Sequence, residues 1–182
     1  MSSRSFSFKV CLLGDQGVGK TSIRKVYMDE GFKHNYMKTI GVEISKQTVN
    51  KGGVHSEVII WDMAGDAEFR NIRQSYMSGI SGGILVIDVT KEINIQTLIW
   101  WLEDIVKIPR EFPIPVALLA NKVDLVDQRK VTETNLEGVA FLLKETLGNS
   151  PLKYFETSAM KNIGIDEAFD WLIDEMIKIH SV

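Results

Sequence analysis

Apolar positions recur along the chain with two periods, and the switches between them outline a series of short elements. Phe6, Phe8, Val10 and Leu12 alternate with Ser7, Lys9, Cys11 and Leu13, polar at first and then apolar on both sides, as in a strand entering a buried sheet. A helix is expected over residues 21–28 and a polar loop over 29–39. Residues 42–48 and 54–61 are rich in β-branched side chains and are joined by Asn50-Lys51-Gly52-Gly53, which predicts an antiparallel hairpin. A helix over 67–77 and a buried strand over 84–89 follow, separated by glycines at 79, 82 and 83.

From Ile95 the apolar residues Leu98, Ile99, Leu102, Ile105 and Val106 return to helical spacing, and Pro109, Pro113 and Pro115 punctuate the approach to a strand over 116–120. Trp100 and Trp101 lie on that helix, one on its apolar side and the other expected to be exposed. Leu136, Val139, Ala140, Leu143 and Leu147 mark another helix, capped by Thr132 or Thr134 and closed by Gly148. A short strand over 154–157 precedes a last helix with Ile165, Ala168, Phe169, Leu172, Met176 and Ile177 on one face. Strands alternating with helices predict a three-layer α/β fold: a six-stranded, mostly parallel sheet with one antiparallel edge strand and helices on both faces. The loops at 14–21, 62–66, 121–124 and 157–159 all follow strand carboxyl ends, so they are expected to converge on one crevice.

Composition narrows this picture. With 182 residues, 45% of them hydrophobic, the chain suits one domain over 6–180 behind a disordered tail of residues 1–5. A net charge of −3 without any Lys/Arg-rich block argues against nucleic acid as a partner. The single Cys11 lies in an apolar run, reads as a core residue and can form no internal disulfide. No run has the length of a membrane span, the start lacks the apolar centre of a signal peptide, and neither end carries a lipidation motif. A monomeric cytoplasmic protein is expected, reaching membranes only through partners.

The chemistry starts at Gly14-Asp15-Gln16-Gly17-Val18-Gly19-Lys20-Thr21, which fits a phosphate-binding loop. Its glycines let consecutive N–H groups close round an anion, Lys20 supplies a point charge, and Thr21 offers a hydroxyl to Mg2+ at a helix N-terminus. Asp62-Met63-Ala64-Gly65 places a carboxylate and a glycine N–H after a strand, where they suit a metal and an outer phosphate; alone, it reads first as an Asp-Gly turn. In Asn121-Lys122-Val123-Asp124 a carboxylate can accept from the two adjacent donors of guanine's Watson–Crick edge; alone, it is equally a solvated loop. Thr157-Ser158-Ala159 offers backbone donors to a base oxygen.

In this order, each after its own strand, the motifs resemble those of the Ras superfamily of small GTPases, and Trp61-Asp62 with Thr39-Ile40-Gly41-Val42 is most similar to the Rab branch. The resemblance spans about residues 6–179. It implies a phosphate-loop NTPase fold of the small G-domain type and a switch holding GTP with Mg2+ in one state and GDP after slow hydrolysis. It places Gly14, Asp15, Gly17, Val18, Gly19, Lys20, Thr21 and Ser22 round the phosphates, and Thr39 and Gly65 at the γ-phosphate. Thr21, Thr39 and Asp62 would hold the metal. Phe32, Asn121, Lys122, Asp124, Ser158, Ala159 and Met160 would surround the base, and Tyr36 would close over the phosphates. Ile44, Trp61 and Tyr76 match a hydrophobic trio that displays the switch state to effectors, beside an exchange factor and a GTPase activator as further partners; ordinary sheet packing explains the same three residues.

Three positions depart from the family pattern. Asp66 stands where a Gln orients the attacking water, and a carboxylate is shorter, cannot donate and repels the γ-phosphate, so hydrolysis by Lys20, Thr39 and Gly65 is expected to be feeble. The alternative is a GTP-locked binding module. Gln16 replaces a small residue; it crowds a partner's arginine, lends its carboxamide to the reaction in place of Asp66, or points into solvent. Met160 stands where Lys is common, a change expected to leave base choice to Asp124.

Overall fold

β1 (Ser5–Leu13) runs through the middle of the sheet, and its last four residues, Val10 to Leu13, are apolar and fully buried because layers of helices cover both sides. The computed structural model describes residues 5–32, 39, 41–65 and 75–181. In chain order the further elements are α1 (Lys20–Tyr27), β2 (Val42–Lys51), β3 (Val54–Met63), β4 (Gly82–Asp88), α2 (Ile95–Val106), β5 (Val116–Asn121), α3 (Glu133–Leu147), β6 (Leu152–Thr157) and α4 (Ile165–His180). The strands lie in the order β2-β3-β1-β4-β5-β6. Only β2 pairs antiparallel, as the hairpin predicted, and its turn closes at Gly52-Gly53 with φ of 56° and 79°. Both angles are positive, the twist-matched form of a two-residue hairpin turn.

Period-two alternation divides the core into two layers. Cys11, Leu13, Leu85, Ile87, Leu118 and Ala120 face α2 and α3, whereas Val10, Leu12, Ile84, Val86, Ala117 and Leu119 face α1 and α4. Burial pushes the Cys11 thiol up to about 12, so it stays protonated as a small core residue. The chain returns to opposite sides of β1, so β3 and β4 flank it and the loop after β1 opens at a topological switch point.

Local signals account for most boundaries. Thr132, not Thr134, caps α3, in a capping box with Asn135. Asn94 caps α2 by accepting from the Thr97 N–H at 3.2 Å. The expected helix over 67–77 lies mostly outside the described residues, which are helical there at Ser75 and Tyr76. β4 begins at Gly82, two positions before the expected strand, since Gly82 and Gly83 are packing residues and not punctuation. A Cβ on Gly82 would lie 2.8 Å from Met176 Sδ, and one on Gly83 2.9 Å from Ile105 Cδ1, so the helices on both faces press against bare backbone.

Gly82→Ala is accordingly expected to overpack the α4 side and to cost about 1–3 kcal/mol, partly relieved because Met176 is flexible. Thermal unfolding measures this; an unchanged midpoint contradicts the packing described for β4.

Candidate functional site

Residues 14–20 turn from β1 into α1 with Gly19 as the N-cap at φ 109°. No side chain caps that helix, so its first N–H groups remain directed into the loop. A side chain at Gly19 would place Cβ 2.3 Å from Asn121 Nδ2, and one at Gly65 would lie 2.6–2.7 Å from Asp15 C, Gln16 N and Lys20 Nζ. Glycine at these positions lets β3 and β5 bring their ends against the loop. The Lys20 ammonium is buried over the loop, donating to the carbonyls of Gly14 at 2.6 Å and Asp15 at 2.9 Å.

Three oxygens meet beside Lys20. The Thr21 hydroxyl donates to Asp62 Oδ2 at 2.5 Å and lies 2.9 Å from the Thr39 hydroxyl, which comes from the far end of the loop after α1. Asp62 is fully buried, and its Oδ1 has no partner among the described residues. An orphaned buried carboxylate oxygen beside two hydroxyls fits a hard cation that keeps several waters, such as Mg2+. Among the described residues no group of three or more His, Cys, Asp or Glu could hold a metal, so a zinc-type site is not formed there. Burial pushes the Asp62 carboxyl above its usual range, opposed by the Thr21 hydrogen bond and by Lys20 and Arg24.

The β5 end ties the loop to the base-side residues. Asn121 Nδ2 donates to the Val18 carbonyl at 2.9 Å, while its Oδ1 accepts from Thr157 Oγ1 and the Ala159 N–H, both at 3.3 Å. Lys122 donates to the Gly17 carbonyl at 2.8 Å and to Asp88 Oδ2 at 2.6 Å. Burial pushes Asp88 up, but the bonds from Lys122 and Thr90 outweigh it and leave its carboxyl below the ordinary value. Ser158 Oγ donates to Asp124 Oδ1 at 2.5 Å. Motifs 36 positions apart in sequence therefore sit side by side, as the sheet topology required.

Other expected site residues are less embedded. Phe32 and Met160 are exposed, Ser22 is half-buried on α1, and Gln16 is exposed with no side-chain hydrogen bond to the described residues. Tyr36 and Asp66 lie outside the described residues. Ile44 stands directly opposite Trp61 across β2 and β3, and the Trp61 ring is 5.8 Å from that of Tyr76. Ile44 and Tyr76 are 54% and 37% exposed, so the trio forms a partly open apolar patch instead of closed sheet packing.

Sequence reading missed Trp101. It is buried, yet its indole Nε1 donates to Asp15 Oδ1 at 2.9 Å, tying α2 to the loop. Of the two tryptophans, Trp101 is the one on the apolar side, and Trp100 is half-buried instead of exposed, packing edge-on against Trp101 at 5.0 Å. The available signal was chemical: an indole on a buried helical face needs an acceptor for its N–H.

The family model described as "Ras family" matches residues 9–178. Among curated proteins the chain is 34% identical to Ras-related protein Rab-10 of Diplobatis ommata over 94% of this chain and 82% of that protein. It is also 34% identical to Ras-related protein Rab-32 of Sus scrofa, over 98% of this chain and 78% of the relative. Ras-related protein RGP2 of Oryza sativa subsp. japonica is 34% identical over 96% of the chain and 77% of its own length.

The state of Asp62 sets a pH-dependent outcome. Its folded carboxyl lies above the unfolded value of about 3.9, so the folded chain binds the proton more tightly and this group's contribution to stability falls as pH rises through that interval. In chelating buffer at neutral pH, Asp62→Asn is expected to raise the unfolding midpoint by about 2–4 °C, an advantage that shrinks as the pH falls and the parent carboxyl protonates. A difference that does not change with pH, or a lower midpoint for the variant at neutral pH, contradicts this assignment.

Proposed function

The chain belongs to the Ras family as a Rab-like small GTPase, and from that premise we propose a magnesium-dependent guanine-nucleotide switch of low intrinsic hydrolysis. The observation that carries the reading is the meeting of Thr21, Thr39 and Asp62 beside the phosphate loop, with one carboxylate oxygen left unpaired. In this reading the backbone N–H groups of Gly17 to Thr21 receive the phosphates, with Ser22 nearest the inner one. Lys20 leaves its two carbonyl partners for the outer phosphates, with Gly65 at hand to donate its N–H. Mg2+, when bound, neutralises charge between the outer phosphates. Thr21, Thr39 and Asp62 hold it, and Thr39 can do so only if its loop is drawn in, which makes that loop the switch.

Asp124 accepts from guanine's two adjacent donors, Ala159 turns its N–H from Asn121 Oδ1 to the base oxygen, and Asn121 and Lys122 carry that geometry to Val18 and Gly17. Phe32 and Met160 flank the base, and Tyr36 closes over the phosphates. Exchange factor, activator and effector would meet the switch loops and the patch of Ile44, Trp61 and Tyr76. A monomeric cytoplasmic protein, reaching membranes through such partners, is part of the same proposal; no helix among the described residues is long and apolar enough to cross a membrane.

Hydrolysis is the weak part of this machine. Asp66 replaces the residue that would orient water, and the exposed carboxamide of Gln16 has no partner among the described residues that would aim it at the reaction. That observation favours a second reading, a module that stays GTP-bound and acts through its switch surface alone. Single-turnover hydrolysis separates them: Asp66→Gln is expected to hydrolyse GTP about tenfold or more faster than the parent. Equal rates contradict the role given to Asp66, and a cognate activator that restores fast turnover to the parent rejects the locked module.

Base recognition has its own test. Asp124→Asn is expected to lose guanine preference by about a hundredfold in competition binding, because an amide replaces the double acceptor. Undiminished discrimination against adenine nucleotides contradicts the assignment.

A further inference from the structure

Arg24, on α1, is 1% exposed, which makes it the largest charged side chain in the core. Its Nη1 donates to Glu30 Oε1 at 3.0 Å and to Ser45 Oγ at 2.7 Å, and its Nη2 to Glu43 Oε1 at 2.7 Å. Its Nε–H finds no acceptor among the described residues. A buried guanidinium carries a desolvation penalty, and an apolar side chain of similar volume commonly serves a core as well or better. What the charge achieves here is geometric. Glu30 follows α1 and Glu43 is the second residue of β2, so one planar fork grips both ends of the segment that carries Thr39.

The same contact acts beside the metal site. Glu43 stands directly opposite Asp62 across β2 and β3, which puts both carboxylates on one face of the sheet as a like-charged pair. Arg24 takes the Glu43 carboxylate and holds it at α1. Farther along, the Gly41 carbonyl accepts from the Ala64 N–H at 3.0 Å, so the β2 end of the loop is fixed to the Asp62 end of β3. From this arrangement, and resting on the guanine-nucleotide reading above, we infer that Arg24 is a positioning residue for the triphosphate state, setting both ends of its loop so that Thr39 reaches Thr21. With Glu30 and Glu43 set by one guanidinium, Thr39 keeps its place at the Thr21 hydroxyl, and the gain goes to the state in which Thr39 holds the metal. The diphosphate state makes no demand on Thr39 and gains nothing.

The test compares Arg24→Met, which keeps length and burial without charge, with Arg24→Lys, which keeps the charge but lacks the planar fork whose two nitrogens reach Glu30 and Glu43 separately. Affinities for GDP and for a non-hydrolysable GTP analogue are measured in Mg2+ and in excess chelator. Both variants are expected to bind the GTP analogue about tenfold more weakly in Mg2+ while GDP affinity stays within about twofold, and the selective loss disappears in chelator. Glu30→Ala, at a side chain 44% exposed, is expected to show the same selectivity at about threefold and serves if the core variants fail to fold. A loss shared equally by both nucleotides, full rescue by Arg24→Lys, or no loss at all overturns the inference. If the parent itself binds no guanine nucleotide, it is the switch reading that fails.

Discussion

Carbonyl and carboxylate groups of the loop between β1 and α1 are held by donors from the end of β5, from α2 and from the first residue of α1. Lys122 bonds the Gly17 carbonyl, Asn121 the Val18 carbonyl, Trp101 the Asp15 side chain, and Lys20 the carbonyls of Gly14 and Asp15. With acceptors turned outward to these partners, the N–H groups are left to face the anion site. The rest of the site depends on that constraint, because in a loop of this glycine content Val18 is the residue that packs an apolar side chain into the core.

The constraint is carried by the sheet. Asn121 ends β5 and Asp88 ends β4, in register with one another, so the ammonium of Lys122 can reach both Asp88 and the loop. Lys122 adopts φ +74°, unfavourable for a side chain with a Cβ, and its two strong contacts offset that strain. Tethers from β5 and α2 hold the phosphate side of the crevice, and β2, β3 and Arg24 hold the side from which Thr39 enters.

Much of this was legible in sequence because the signals were local. β1 announced itself by alternation that turned wholly apolar, the hairpin by Gly52-Gly53, α4 by its apolar stripe, and the phosphate loop by fixed spacing. The four converging loops followed from topology. What spacing could not supply was contact between residues far apart in the chain: Trp101 and Asp15 are 86 positions apart, and Arg24 reaches Glu43 across 19. Gly82 and Gly83 misled for a related reason, since glycine punctuates loops locally and admits close-packed helices only in three dimensions. Asp66 remains a matter of chemistry read from one residue's identity.

In the proposed switch the tethered loop, the oxygens of Thr21, Thr39 and Asp62, and Asp124 form a single guanine-nucleotide site. The most direct measurement is chromatography of the nucleotide released when the purified protein is denatured. Stoichiometric GDP or GTP is expected, and their ratio reports how far hydrolysis has gone. Adenine nucleotide, or stoichiometric retention of any other base, would contradict it.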